Sequence, residues 1–125
     1  MPGQHWVGIY IQRRGGELEF FCSYGQTIRS YDSSFLNFAK RNNLRILENS
    51  NSLQSFNSDV CGQFVIFYLF SRFQKCARSV FYAKFSKVDT VKNDKIVRRF
   101  VYQKLLAMKL KCNKINHNQC CNKRI

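Results

Sequence analysis

The sequence predicts an α+β domain in which a mixed sheet packs on a central buried helix. Three observations carry that expectation. Two β-rich runs separated by turn residues open the chain, an uninterrupted apolar run from Phe64 to Phe70 sits in its middle, and apolar residues at helical spacing follow Asn93 and Asp94. With 125 residues, 45% apolar and 15% aromatic, the chain can build one modest core and is not of disordered composition.

Taken in order, Trp6 to Ile11 is β-rich, Gln12-Arg13-Arg14-Gly15-Gly16 supplies turn chemistry, and Leu18 to Cys22 is β-rich again, which reads as a hairpin with His5 at the entrance to its first strand. Asp32, Ser33 or Ser34 can cap a helix carrying Phe35, Leu36, Phe38 and Ala39, and Asn42-Asn43 end it. Leu44 to Leu47 reads as another short strand. Asn57, Ser58 or Asp59 is a candidate cap for a helix running to about Phe73, apolar on every side and so buried, with Cys61 in its first turn. A last helix starts near Asn93 or Asp94; Ile96, Val97, Phe100, Val101, Leu105 and Met108 form one face, and Lys95, Arg98, Arg99, Lys104 and Lys109 the other. The domain is expected to span residues 1–111, with 112–125 a polar, basic, disordered tail.

Twenty-one Lys and Arg against seven Asp and Glu give a net charge of +14, which attracts polyanions such as DNA. The longest apolar run is too short to cross a bilayer, and no charged-then-apolar leader precedes His5. The expectation is a soluble monomer, intracellular or nuclear and not secreted, without membrane contact. Its six cysteines lack the spacing of a disulfide scaffold and are expected as free thiols. Cys112, His117, Cys120 and Cys121 cluster in the tail, but adjacent cysteines rarely ligate one ion, so no metal is expected.

The first turn of a helix matters to a cysteine because only the thiolate is a nucleophile, and helix N-termini favour it through oriented N–H groups and the macrodipole. Gly62 removes a side chain where a substrate backbone would approach, and the Gln54 amide could donate to an oxyanion. A nucleophilic cysteine also needs a base that later protonates the leaving amine. Of the two histidines, His117 lies in the polar tail, which leaves His5. A buried structural cysteine is the plain alternative for Cys61.

The series "HWVGIYI", "EFFCSYG" and "QSFNSDVCGQF" resembles the motifs of the adenovirus-type cysteine endopeptidases, including those of Maverick/Polinton-like DNA transposons, which are distant relatives of the SUMO-protease class. The match covers residues 4 to 70. The resemblance implies a cysteine-peptidase fold with the nucleophile at the N-terminus of the central helix. His5 would be the base and Cys61 the nucleophile, while Gln54 and the Cys61 N–H would form the oxyanion hole; Trp6 and Gly62 would line the substrate cleft. It implies maturation cleavage of capsid or precursor polypeptides of a virus-like element, with small residues near the cleaved bond, no cofactor in the catalytic step, and activation by a peptide or DNA as in relatives. Two departures stand out. The acid that should orient the histidine is Cys22, and Glu19, three residues away along a strand, should point to the opposite face. The family also carries a segment ahead of the histidine, so the domain reads as truncated before the His strand. The alternative expectation is a catalytically inactive basic relic that binds DNA non-specifically through Lys95, Arg98, Arg99 and Lys104.

Overall fold

The computed structural model of the chain describes residues 4–121, with side chains through residue 114. In chain order it contains β1 (Gly8–Gln12), β2 (Glu17–Phe21), a 3-10 turn (Ile28–Ser30), α1 (Ser33–Arg41), β3 (Arg45–Glu48), α2 (Cys61–Phe73), α3 (Arg78–Ala83) and α4 (Thr90–Cys121). The fold is α+β, with a three-stranded mixed sheet in the order β1-β2-β3.

The hairpin forms where the turn chemistry lies. Gly16 takes a φ of +64° and its N–H donates to the Arg13 carbonyl, so that Gln12 faces Glu17 and Gly8 faces Phe21 across an antiparallel pair. β3 returns parallel to β2 after the α1 crossover, with Glu17 opposite Arg45 and Phe20 opposite Glu48. α1 begins where Asp32 accepts from the Ser34 N–H at 2.8 Å and ends at Asn42, after which Asn43 turns into the left-handed region.

Period-two alternation along β2 separates two apolar clusters. Leu18, Phe20 and Cys22 pack with Ile28 and Ala39 on the α1 side. Phe21 packs on the α2 side, stacked on Tyr68 at 4.5 Å between ring centroids, in a cluster that includes Phe64, Phe67, Phe81, Phe85 and Val97. Full burial of each such side chain is worth about 1.5–3 kcal/mol relative to exposure. α2 lies directly on β1 at Gly8, where a Cβ would come within 3.3 Å of Val65 Cγ1.

Glu19 points to the α2 face, opposite Cys22, and is fully buried there. Its carboxylate accepts Arg72 through Nε at 2.7 Å and Nη2 at 2.8 Å, the Tyr68 hydroxyl, and Gln12 Nε2 at 3.3 Å. This ties β2 to α2 through the core.

Several expectations need correcting. α2 is capped at Val60, not by Asn57, Ser58 or Asp59. It is not buried on every side either, since Ile66 and Phe73 are exposed. α4 starts at Thr90, where Asp89 accepts from the Lys92 N–H at 3.0 Å; Asn93 and Asp94 lie inside the helix. The helix also continues past Lys111 to Cys121. Lys104 does not share the face of Lys95: nine residues at 100° each put it half a turn away, and its Nζ lies 4.5 Å from the centre of the Phe70 ring. Among the described residues no helix is long and apolar enough to cross a membrane.

Candidate active site

The strand register brings His5, just before β1, and Cys22, just after β2, to the same end of the sheet. His5 Nε2 lies 3.3 Å from Cys22 Sγ. The thiol is fully buried and has a second neighbour, the Tyr31 hydroxyl at 3.1 Å, and that hydroxyl donates to Gln26 Oε1 at 3.0 Å. The imidazole is flanked by Tyr24, at 5.0 Å between ring centroids, and by Tyr31 at 6.2 Å. Burial holds the His5 pKa below its ordinary value of 6.5.

The loop behind Cys22 is fixed by its own backbone chemistry. The Asn49 side chain clamps the Cys22 peptide at both ends, accepting from Cys22 N–H at 3.2 Å and donating to Cys22 C=O at 2.6 Å. Gly25 follows with a φ of +73°, and a Cβ there would fall 2.7 Å from the Asn51 carbonyl carbon. Only glycine fits that position without displacing the chain.

Cys61 opens α2 and is 8% exposed. Among the described residues no side chain caps the helix, which leaves the first-turn N–H groups without a capping acceptor at the residue where the thiol sits. The indole of Trp6, itself 63% exposed, lies over Gly62, whose Cβ position would be 3.6 Å from Trp6 Cδ1. A methyl group there would be an ordinary contact, so Gly62 is not sterically required. Trp6, Gly62, Gln63, Val65, Ile66 and Val101 line an apolar groove of about 440 Å³. Tyr24 stands close to both thiols: burial raises its hydroxyl pKa, and the Cys61, Asp94 and Cys22 charges add to the shift.

His5, Trp6, Cys22, Cys61 and Gly62 are therefore drawn to one end of the sheet, and two features of their geometry bear on chemistry. His5 hydrogen-bonds to Cys22 and not to Cys61, whose thiol makes no hydrogen bond among the described residues. Gln54 is buried with its amide engaged: Oε1 accepts from Ser23 Oγ at 2.6 Å, and Nε2 donates to Ser58 O and Ser58 Oγ, each at 2.9 Å. Its loop is anchored to α4, because Asp94 accepts from the Ser55 N–H at 3.2 Å and Asn93 Nδ2 donates to Leu53 C=O at 3.0 Å. Tyr31, Ser58 and Asn49 were not legible as site residues in the sequence: Tyr31 and Asn49 meet Cys22 from 9 and 27 residues away, and Ser58 takes the Gln54 amide within a loop that no local pattern marks.

Lys95 and Arg99, with Lys92, flank a groove of about 410 Å³ floored by Phe67, Ile96 and Phe100. Arg98 pairs with Asp59 at 3.4 Å on the surface. Among the described residues no three His, Cys, Asp or Glu side chains form a metal-sized group, and His117, Cys120 and Cys121 of the tail lie outside the described side chains. Comparison with family models, curated proteins and solved structures returned no match.

Proposed function

We propose that the chain is a cysteine endopeptidase of the adenovirus type, acting on precursor or capsid polypeptides of a virus-like or transposable element. The observation that carries this reading is the juxtaposition at one sheet end of a helix-opening cysteine, Cys61, with the His5-Trp6 pair, through the contact of Trp6 on Gly62. In the proposed reaction His5 takes the Cys61 proton and the thiolate attacks the scissile carbonyl carbon. The resulting oxyanion is held by the uncapped N–H groups of the first turn of α2 and by one Gln54 N–H, released from Ser58 Oγ. The imidazolium then gives its proton to the leaving amine; His5 next takes a proton from the water that attacks the thioester and passes it to the Cys61 sulfur as it departs.

The test is covalent labelling of the folded chain with limiting iodoacetamide under mildly acidic conditions, read by peptide mapping. Cys61 should label ahead of Cys76 and Cys112, although Cys112 is exposed and Cys61 buried, because the neighbouring base and the uncapped N–H groups of α2, and not access, then decide the rate. The preference should disappear in His5→Ala. Labelling that simply follows exposure would overturn the proposal.

A second reading, a basic protein that binds DNA without cleaving peptides, is favoured by the grouping of Lys92, Lys95 and Arg99 along one groove of α4. Such binding would be independent of sequence and would weaken steeply with added salt.

A further inference from the structure

The buried polar network between sheet and helices is one acceptor short. Glu19 is its carboxylate, and all of that carboxylate's capacity is taken: Arg72 occupies both oxygens, the Tyr68 hydroxyl donates to Oε1, and Gln12 donates to Oε2. Arg78 arrives at the same cluster too late to share it. Its Nε reaches only 3.8 Å from Glu19 Oε1 and donates to the Tyr68 oxygen at 3.3 Å; its Cζ lies 5.7 Å from the centre of the Tyr82 ring, and among the described residues its two terminal nitrogens meet no acceptor in hydrogen-bond geometry, the Tyr82 hydroxyl being a close polar neighbour. One carboxylate thus faces two guanidinium groups, and the Arg78 side chain is 25% exposed, too sheltered for water to compensate it fully. The Tyr82 hydroxyl beside it is buried and, among the described residues, meets no partner in hydrogen-bond geometry, although Arg78 is close enough to oppose the upward push of burial on its pKa.

Arg78 lies on the wall of a pocket of about 320 Å³ whose other walls explain what would fit. Lys87 adds a second cation at the rim. Leu53, Phe85 and the Tyr82 ring give one apolar side, and Asn49, Ser50 and Asn51 give a polar one. Glu48 also lines the pocket, with its Oε2 engaged by the Ile28 N–H at 2.7 Å, so the two cations outnumber this one carboxylate.

We infer that this pocket binds a small oxyanion, a carboxylate or a phosphate, gripped by the Arg78 guanidinium fork with Lys87 as the second charge. A planar fork with two unpaired terminal nitrogens matches either oxyanion bidentately. The apolar wall favours a ligand that carries its charge on an apolar body. The inference is independent of the peptidase reading, because none of the pocket's cations touches His5, Cys22 or Cys61.

The experiment is a backbone amide NMR titration of the whole chain, with inorganic phosphate in one arm and benzoate in the other. Saturable shifts confined to Asn51, Leu53, Arg78, Tyr82 and Lys87, with Kd of order 1–10 mM, are expected in at least one arm. The arm that saturates identifies the oxyanion. Arg78→Gln should weaken binding by roughly tenfold or more, and Lys87→Gln, an exposed substitution that leaves the core intact, should weaken it measurably even if Arg78→Gln does not fold. The inference is overturned by no saturable shift up to about 50 mM ligand. It is equally overturned by shifts spread over Lys92, Lys95 and Arg99 that Lys87→Gln does not alter, which would report diffuse attraction to a cationic surface.

Discussion

Cys22 sits between two rings, and the direction of each hydrogen bond around it follows from a single proton. Tyr31 gives its hydroxyl hydrogen to Gln26, so its oxygen can only accept from the Cys22 thiol. The sulfur is then left to accept from His5 Nε2–H, which fixes the neutral tautomer with its lone pair on Nδ1. The arrangement orients the ring as a carboxylate would, but it supplies no counter-charge. Burial already disfavours the imidazolium, and attack by Cys61 must create one. Cys22→Asp should therefore raise the His5 pKa and increase kcat/KM by roughly 10 to 10⁴-fold, with the ascending limb of the pH–rate profile moving to higher pH. Cys22→Ser, uncharged, should do neither. Rates and profiles of the three folded proteins decide the matter; an unmoved limb and unchanged rate in Cys22→Asp would mean that this position does not orient the base.

At the scale of elements, what was legible in the sequence is what local chemistry decides. The β1–β2 hairpin and α1 follow from turn glycines, the Asp32 cap and Asn42-Asn43, whose partners lie within a few residues. The cap of α2 was not legible because each candidate is otherwise engaged: Ser58 accepts from Gln54, Asp59 pairs with the distant Arg98, and Asn57 occupies a left-handed turn. Asn93 and Asp94 look like caps for the same reason, yet their side chains serve Leu53, Ser55 and Ser86, and Asp89 caps α4. α3 is too short to show a period. The candidate site divides similarly, with His5, Cys22 and Cys61 carried by linear motifs, and Tyr31 and the engaged Gln54 amide visible only once distant segments meet. α4 itself changes character along its length. Val97 and Phe100 pack against α2, with Phe100 stacked on Phe67 at 4.1 Å, whereas Tyr102, Leu105, Leu106, Met108 and Leu110 are exposed. A helix without tertiary cover is marginal in water. Amides from residue 104 to 114 should exchange at least about 100-fold faster than those from 96 to 101 in a native-state hydrogen-exchange measurement. Uniform protection along the helix, independent of protein concentration, would contradict this.

For the molecule as a whole, the two faces of the sheet hold their titratable groups in opposite ways, and both make acid destabilising. On the α1 face, His5 is kept neutral by burial, with its pKa below 6.5. The unfolded chain therefore takes up a proton that the folded chain refuses, and stability falls as pH drops through 6.5 toward the folded value. On the α2 face, burial pushes the Glu19 carboxyl up, but the hydrogen bonds from Arg72 and Tyr68 and the charges of Arg72 and Arg78 outweigh it and hold the pKa below the ordinary 4.5. Its contribution is fully present above 4.5 and is lost as pH falls through the lower folded value. The surplus of +14 adds self-repulsion that grows as further carboxylates protonate, and salt screens it. Urea midpoints measured against pH should therefore decline in two steps. Glu19→Gln separates them: it should cost about 3–5 kcal/mol near neutrality, because Arg72 is left buried without a counter-charge, and it should remove most of the step below 4.5 while leaving the His5 step in place. A Glu19→Gln protein as stable as the parent near neutrality, or one whose midpoint still falls as steeply below 4.5, would show that the Glu19–Arg72 pair does not join the sheet to α2 in the way its geometry implies.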